Sequence, residues 1–150
     1  MGMHTMAWRA SLPLSGLLRE TRPVDTGFFG RESPLVARDL IGCVMVAGEC
    51  AARIVETEAY LGERDGASHA FRGPTPRTRV MFGPPGFIYV YFVYGMYHCM
   101  NFVTNEDGVA GAVLLRALEP LAGIERMRER RPKVKRWEDL ASGPGKLTLA

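Results

Sequence analysis

The chain has 150 residues, 19 basic and 16 acidic, for a formal charge of +3. That length fits one domain, and 47% apolar with 23% charged residues excludes disorder as the dominant state. No uncharged apolar stretch reaches the roughly 18 residues of a membrane helix, and the longest candidate, residues 86–103, is interrupted by Gly95, His98 and Asn101. Cys43, Cys50 and Cys99 are an odd set without CxxC spacing. They argue against a disulfide framework and a zinc site, and for a reducing cytoplasm.

Residues 1–22 show no basic-then-apolar signal pattern. They are expected to form a mobile arm, leaving residues 23–150 as the domain. Ser33-Pro34 before LVARDLIG reads as an N-cap, a proline in the first turn and a short helix stopped at Gly42. Residues 43–47 and 51–60 read as two strands. Residues 61–85 carry eight glycines and prolines and read as a long loop of the functional kind. Residues 87–93 and 97–103 form a hairpin about Tyr94-Gly95-Met96; both faces of its first strand are apolar, which predicts a central strand. Residues 112–118 are a further strand. Pro120 is expected to start a helix with Leu121, Ile124 and Met127 on one face, and Ser142-Gly143-Pro144-Gly145-Lys146 to open another. Antiparallel hairpins with helices define an α+β class.

Charge is uneven along this chain. Residues 125–136 hold seven basic side chains and two acidic ones, Glu125 and Glu129, and Arg72, Arg77 and Arg79 form a second basic group without an acid. Such clusters suit a polyanionic partner, or equally a solvated charged helix end. In RIVETEAY, alternation places Ile54, Glu56, Glu58 and Tyr60 on one face, the two carboxylates roughly 7 Å apart. A partly buried glutamate beside aromatic rings can act as a general base; the other reading is a wet edge strand. Arg116 lies among apolar neighbours in AVLLRAL and calls for a carboxylate partner, Glu58 or Glu56, unless it snorkels at a sheet edge. Tyr94 at an exposed hairpin tip is costly unless it contacts something, such as stacked bases. Tyr89 reads as core packing. No second histidine or cysteine stands at ligand spacing from His69, so no metal is expected.

Seven strings occur in order: ARDLIG at 37–42, RIVETEAYLG at 53–62, TPR at 75–77, MF at 81–82, PGFIYVYFVYGMYHCMN at 85–101, LLRALEPL at 114–121 and SGPGKL at 142–147. Over residues 28–150 the chain resembles the alkyladenine (3-methyladenine) DNA glycosylase family. The resemblance implies a single mixed domain around an antiparallel, partly barrelled sheet, with a protruding DNA-intercalating hairpin and no metal or other cofactor. It implies Glu58 as the base that activates the attacking water and Arg116 as its companion. Tyr60, His69, Tyr91 and Asn101 would form the base pocket. Tyr94 would enter the gap left by the flipped nucleotide, with Met96 and Tyr97 on the same hairpin. Arg72, Arg77, Arg79 and Lys146 would meet the DNA backbone. The family continues several dozen residues beyond SGPGKL, so its C-terminal segment is expected to be lacking here.

The implied function is base-excision repair. Alkylated or deaminated purines would be flipped from double-stranded DNA and their N-glycosidic bonds hydrolysed, leaving an abasic site. A Schiff-base lyase needs an amine, and no lysine precedes Lys133, which predicts a monofunctional enzyme. A monomer in the cytoplasm is expected, nucleoid-associated in a bacterium or nuclear in a eukaryote. The competing readings are a noncatalytic module for damaged DNA and a carbohydrate glycosidase built on the Glu56/Glu58 pair.

Overall fold

A computed structural model describes residues 10–150. Three short helices come first: α1 (Leu14–Glu20), α2 (Thr26–Phe29) and α3 (Ser33–Leu40). Strands β1 (Val44–Ala47) and β2 (Cys50–Tyr60) precede the long loop; β3 (Ile88–Val93), β4 (Tyr97–Val103) and β5 (Ala112–Ala122) follow it, then helix α4 (Ile124–Arg130). The five strands form one sheet in the order β1-β2-β5-β4-β3, antiparallel at every pairing. This is the expected α+β fold, but the sheet stays open, with β1 and β3 as free edges, and does not close into a barrel.

Each sheet face has its own cover. Val36, Leu40, Ile54, Val113, Leu115, Ile124 and Leu140 form the larger core with α3 and α4. Burying each such aliphatic side chain is worth about 1.5–3 kcal/mol. On the opposite face Ala70, Met81, Tyr89, Val103 and Ala112 make a smaller cluster beneath the long loop. The loop contains two 3₁₀ turns, Gly62–Arg64 and Arg79–Phe82. It acts as the roof over one end of the sheet.

Four local expectations are corrected. Ser33 is not a cap: Glu32 holds the N-cap position, while the buried Ser33 hydroxyl donates to the Tyr60 carbonyl at 2.9 Å and lies 2.7 Å from Thr104 Oγ1. Pro120 does not start a helix. It lies inside β5 opposite Ala52, beside a register shift between Ala51 and Ala52, where a missing N–H is tolerated; α4 begins four residues later. Strand β3 is an edge and not central, so Ile88, Val90 and Phe92 stand about half exposed while Tyr89 and Tyr91 turn beneath the loop. Finally, Ile54 does not share a face with Glu56, Glu58 and Tyr60. It is buried in the larger core, and a bulge reverses the alternation just after it.

Of the segment expected to be an arm, residues 1–9 lie outside the described residues. Further on, the Leu12 N–H donates to the Leu121 carbonyl at 2.8 Å, and Ser11 Oγ accepts from the Ile124 N–H at 3.0 Å. No helix among the described residues is long and apolar enough to cross a membrane.

Candidate active site

The bulge that reverses β2 also builds the charged centre. Ile54 pairs with Leu118, Glu56 with Ala117, and Thr57 with Leu115. Val55 is therefore the extra residue on β2, and Arg116 the extra residue on β5. Bulges re-aim side chains. Here Thr57 Oγ1 turns to the core side and donates to the Ala37 carbonyl at 2.8 Å, which leaves Glu56, Glu58 and Tyr60 on the other face. Arg116 is turned to meet them: its Nη1 donates to Glu58 Oε2 at 2.7 Å and its Nε to Glu56 Oε1 at 3.0 Å. The second Glu58 oxygen accepts from the Tyr60 hydroxyl at 2.7 Å.

Each Glu58 oxygen thus has one charged or phenolic donor, and the side chain remains 41% exposed. A carboxylate offers about four acceptor sites, so two donors fix its orientation and leave room for a water molecule. Burial, reinforced by the Glu58 hydrogen bond, pushes the Tyr60 hydroxyl up to about 12. It stays protonated at neutral pH and keeps donating. The Glu56 hydrogen bond, with the charges of both glutamates, holds Arg116 above its ordinary value.

Tyr60 links this centre to a small open recess. Tyr60, His69, Tyr91 and Asn101 all line it, as do Ala67, Met81 and Tyr89. The rings of His69 and Tyr91 meet edge to face at 4.6 Å, and those of Tyr89 and Tyr91 lie 5.5 Å apart. His69 Nδ1 is 3.2 Å from the Tyr89 hydroxyl, and Asn101 Nδ2 donates to the Tyr89 carbonyl at 3.1 Å. Tyr89 is buried, as core packing requires, yet it also lines the recess. Its place two residues from Tyr91 on one strand was the signal for it. Met81 and Ala67 had no such signal, because the fold of the long loop brings them in.

Burial favours the neutral forms of Tyr91 and His69. Burial raises Tyr91, with Cys99 opposite it contributing. Burial, and then the nearby Arg77, lower His69; the Arg77 guanidinium stands 5.5 Å from the Tyr91 ring centre. A histidine held neutral in the fold lends stability that is complete above its unfolded value, near 6.5. That stability is lost as pH falls from there through the lower folded value. His69→Gln should therefore flatten the decline in melting temperature below pH 6.5, measured against wild type in a pH series; parallel curves for the two proteins would refute this.

At the hairpin tip Tyr94 is 84% and Met96 63% exposed. Tyr94 adopts φ 54°, a region few non-glycine residues visit. Tyr97 differs from both: a Cβ placed on Gly145 would fall 2.7 Å from Tyr97 Cβ, so the 143–148 segment packs tightly against it. Thr148 Oγ1 fastens that segment to β4 through the His98 carbonyl at 2.8 Å.

The two basic groups have different fates. Arg72, Arg77 and Arg79 are exposed on the long loop and Lys146 on the segment beside Tyr97; none joins an ion pair among the described residues. In the 125–136 cluster, Arg126 pairs with Glu129, Arg128 with Glu125, and Arg136 with Glu138. Arg131 donates to the Asp139 and Leu140 carbonyls, and Arg130 to that of Ala150. Most of the arginines of that cluster are therefore taken up by structure, whereas Arg77 holds its charge beside the Tyr91 ring of the recess.

A family model described as methylpurine-DNA glycosylase (MPG) matches residues 27–150. A protein of Methanocella arvoryzae named for 3-methyladenine DNA glycosylase is 56% identical over 124 residues, covering 80% of this chain and 62% of its own length. Similarly named proteins of Burkholderia lata and Bradyrhizobium diazoefficiens are each 52% identical, over 82% and 86% of this chain and 60% and 64% of their own lengths. The chain thus spans about three fifths of the curated relatives it matches. With a family model over residues 27–150 and relatives more than half identical to it, the chain belongs to the methylpurine-DNA glycosylase family.

Proposed function

We propose that this chain carries the base-recognition and hydrolytic centre of a DNA glycosylase acting on alkylated purines. The observation that carries the reading is Tyr60. It lines the aromatic recess and also donates to Glu58, so a base held in the recess places its glycosidic bond beside an oriented carboxylate.

A base inside a duplex hides its C1′ atom, so the nucleotide leaves the stack, at a cost of a few kcal/mol. Electron-rich rings at Tyr60, Tyr89 and Tyr91 then receive it, and a cationic alkylated purine gains about 0.5–2 kcal/mol from them. Glu58 takes a proton from water as the water oxygen attacks C1′. The C1′–N bond breaks, its electron pair goes to the departing base, and an abasic site remains. No lysine lines the recess, which favours a monofunctional reaction without strand cleavage. The unpaired cations Arg72, Arg77, Arg79 and Lys146 serve the phosphates, so affinity falls with rising salt. Incubating the chain with methylated duplex DNA and assaying abasic sites tests the reading. Abasic sites in otherwise intact strands are expected; DNA binding without abasic sites would instead support a noncatalytic recognition module.

Tyr94 fills the gap in the duplex. Its side chain is almost fully exposed and its backbone strained, so the residue owes little to folding. Tyr94→Gly relieves a left-handed cost of about 1–2 kcal/mol and forfeits roughly 1–3 kcal/mol of stacking on bases. The expected result is an equal or higher melting temperature with excision about tenfold slower. A variant as active as wild type would remove Tyr94 from the mechanism.

A further inference from the structure

Arg116 divides one guanidinium between two carboxylates, and only one of them bonds a residue that lines the recess. Nη1 reaches Glu58, which also bonds Tyr60, whereas Nε reaches Glu56. Neither carboxylate lines the recess itself, but Glu56 lacks the link through Tyr60 and is 56% exposed. A guanidinium is a rigid plane with its donors in a fixed fork. Once Nε is held, the direction of Nη1 is set.

The main chain beneath that side chain is already fixed. The Arg116 carbonyl accepts from the Gly143 N–H at 2.9 Å, the Leu118 N–H donates to the Ala141 carbonyl at 2.9 Å, and Ala117 bridges to Ser142. What stays free is rotation about the side-chain bonds of Arg116. Among the described residues only Glu56 and Glu58 hold its guanidinium. Glu58 cannot perform both tasks, because a base that must also anchor its own partner has no fixed reference.

We infer that Glu56 is a positioning residue: its carboxylate holds Arg116 Nε so that Nη1 stays aimed at Glu58. The inference rests on the reading of Glu58 as the base. An exposed ion pair contributes little to stability, so the effect belongs in the rate and not in folding. Lost alignment at a reacting centre can cost up to about a hundredfold.

The test uses Glu56→Ala and Glu56→Gln in the full chain, with duplex DNA carrying one alkylated purine. Single-turnover excision should fall roughly ten- to a hundredfold in Glu56→Ala, with the dissociation constant for the DNA and the melting temperature unchanged. Glu56→Gln should recover most of the rate, because its amide oxygen accepts the same hydrogen bond. An alanine variant at wild-type rate, or a glutamine variant as slow as alanine, overturns the inference. The Arg116 Nε–H resonance in ¹⁵N-labelled protein supplies a readout independent of turnover. It should be protected from exchange in wild type and Glu56→Gln and lost in Glu56→Ala; equal exchange in all three overturns the inference. Failure of the Glu58 reading looks different: wild type leaves no abasic sites while the Nε–H pattern persists.

Discussion

Replacing Glu58 with glutamine should slow excision by about 10²–10⁴-fold, the usual contribution of a positioned general base, while affinity for lesion-bearing DNA is kept. Glutamine has the shape of glutamate and its amide oxygen can still accept from Arg116 or Tyr60. What it loses is the second anionic oxygen, and with it the capacity to take a proton from water. Its NH₂ group would face either the Arg116 guanidinium or the Tyr60 hydroxyl, both donors at 2.7 Å from the present oxygens. Glu58 is partly exposed and lies outside both hydrophobic cores, so the melting temperature should change little. Single-turnover assays under saturating enzyme, with binding measured separately, check both halves. Normal turnover by the glutamine variant would show that another group activates the water, and that the recess and the carboxylate are neighbours without being partners.

The walls of the recess were legible through the family resemblance, which pointed to Tyr60, His69, Tyr91 and Asn101; three of these stand in long specific strings, and His69 stands in the loop between them. The elements were legible where periodicity is regular, as in β4 and α3. What could not be read was the effect of one added residue. Strict alternation along RIVETEAY places Ile54 with the glutamates, yet the paired bulges at Val55 and Arg116 move Ile54 to the opposite core and bring Arg116 onto the carboxylates. A bulge has no composition signal in a strand without glycine or proline. It shows only in the pairing register, which depends on the partner strand. The same limit explains β3. Apolar residues on both faces suggest a central strand, but the position of a strand in a sheet is a property of topology, and β3 sits at the edge. The 125–136 cluster misleads in another way: counting charges cannot show that its acids and nearby carbonyls already occupy most of the arginines.

Gly62→Ala should destabilise the protein by about 3 kcal/mol, roughly 10 °C in melting temperature for a chain of this size. Two effects add. Gly62 has φ +64°, and an alanine forced into that left-handed region costs about 1–2 kcal/mol. An added Cβ would also lie 2.8 Å from the Ala110 carbonyl carbon and closer still to its oxygen. Backbone cannot swing aside as a side chain can, so the 104–111 loop has to move. That loop is tied in by buried polar contacts, Asn105 Nδ2 to the Ala110 carbonyl at 2.9 Å and Thr104 to Ser33 at 2.7 Å. Ser33 in turn donates to the Tyr60 carbonyl. The displacement therefore travels to the residue that joins the recess to Glu58, and excision should weaken even well below the melting transition. Gly108→Ala is the control: its φ of +90° carries the backbone cost alone, since an added Cβ there meets nothing within 4 Å. Thermal unfolding of the two variants separates the terms. If Gly62→Ala loses no more stability than Gly108→Ala, the close approach of Ala110 does not constrain the fold, and the tie between the 104–111 loop and Tyr60 is weaker than these contacts require.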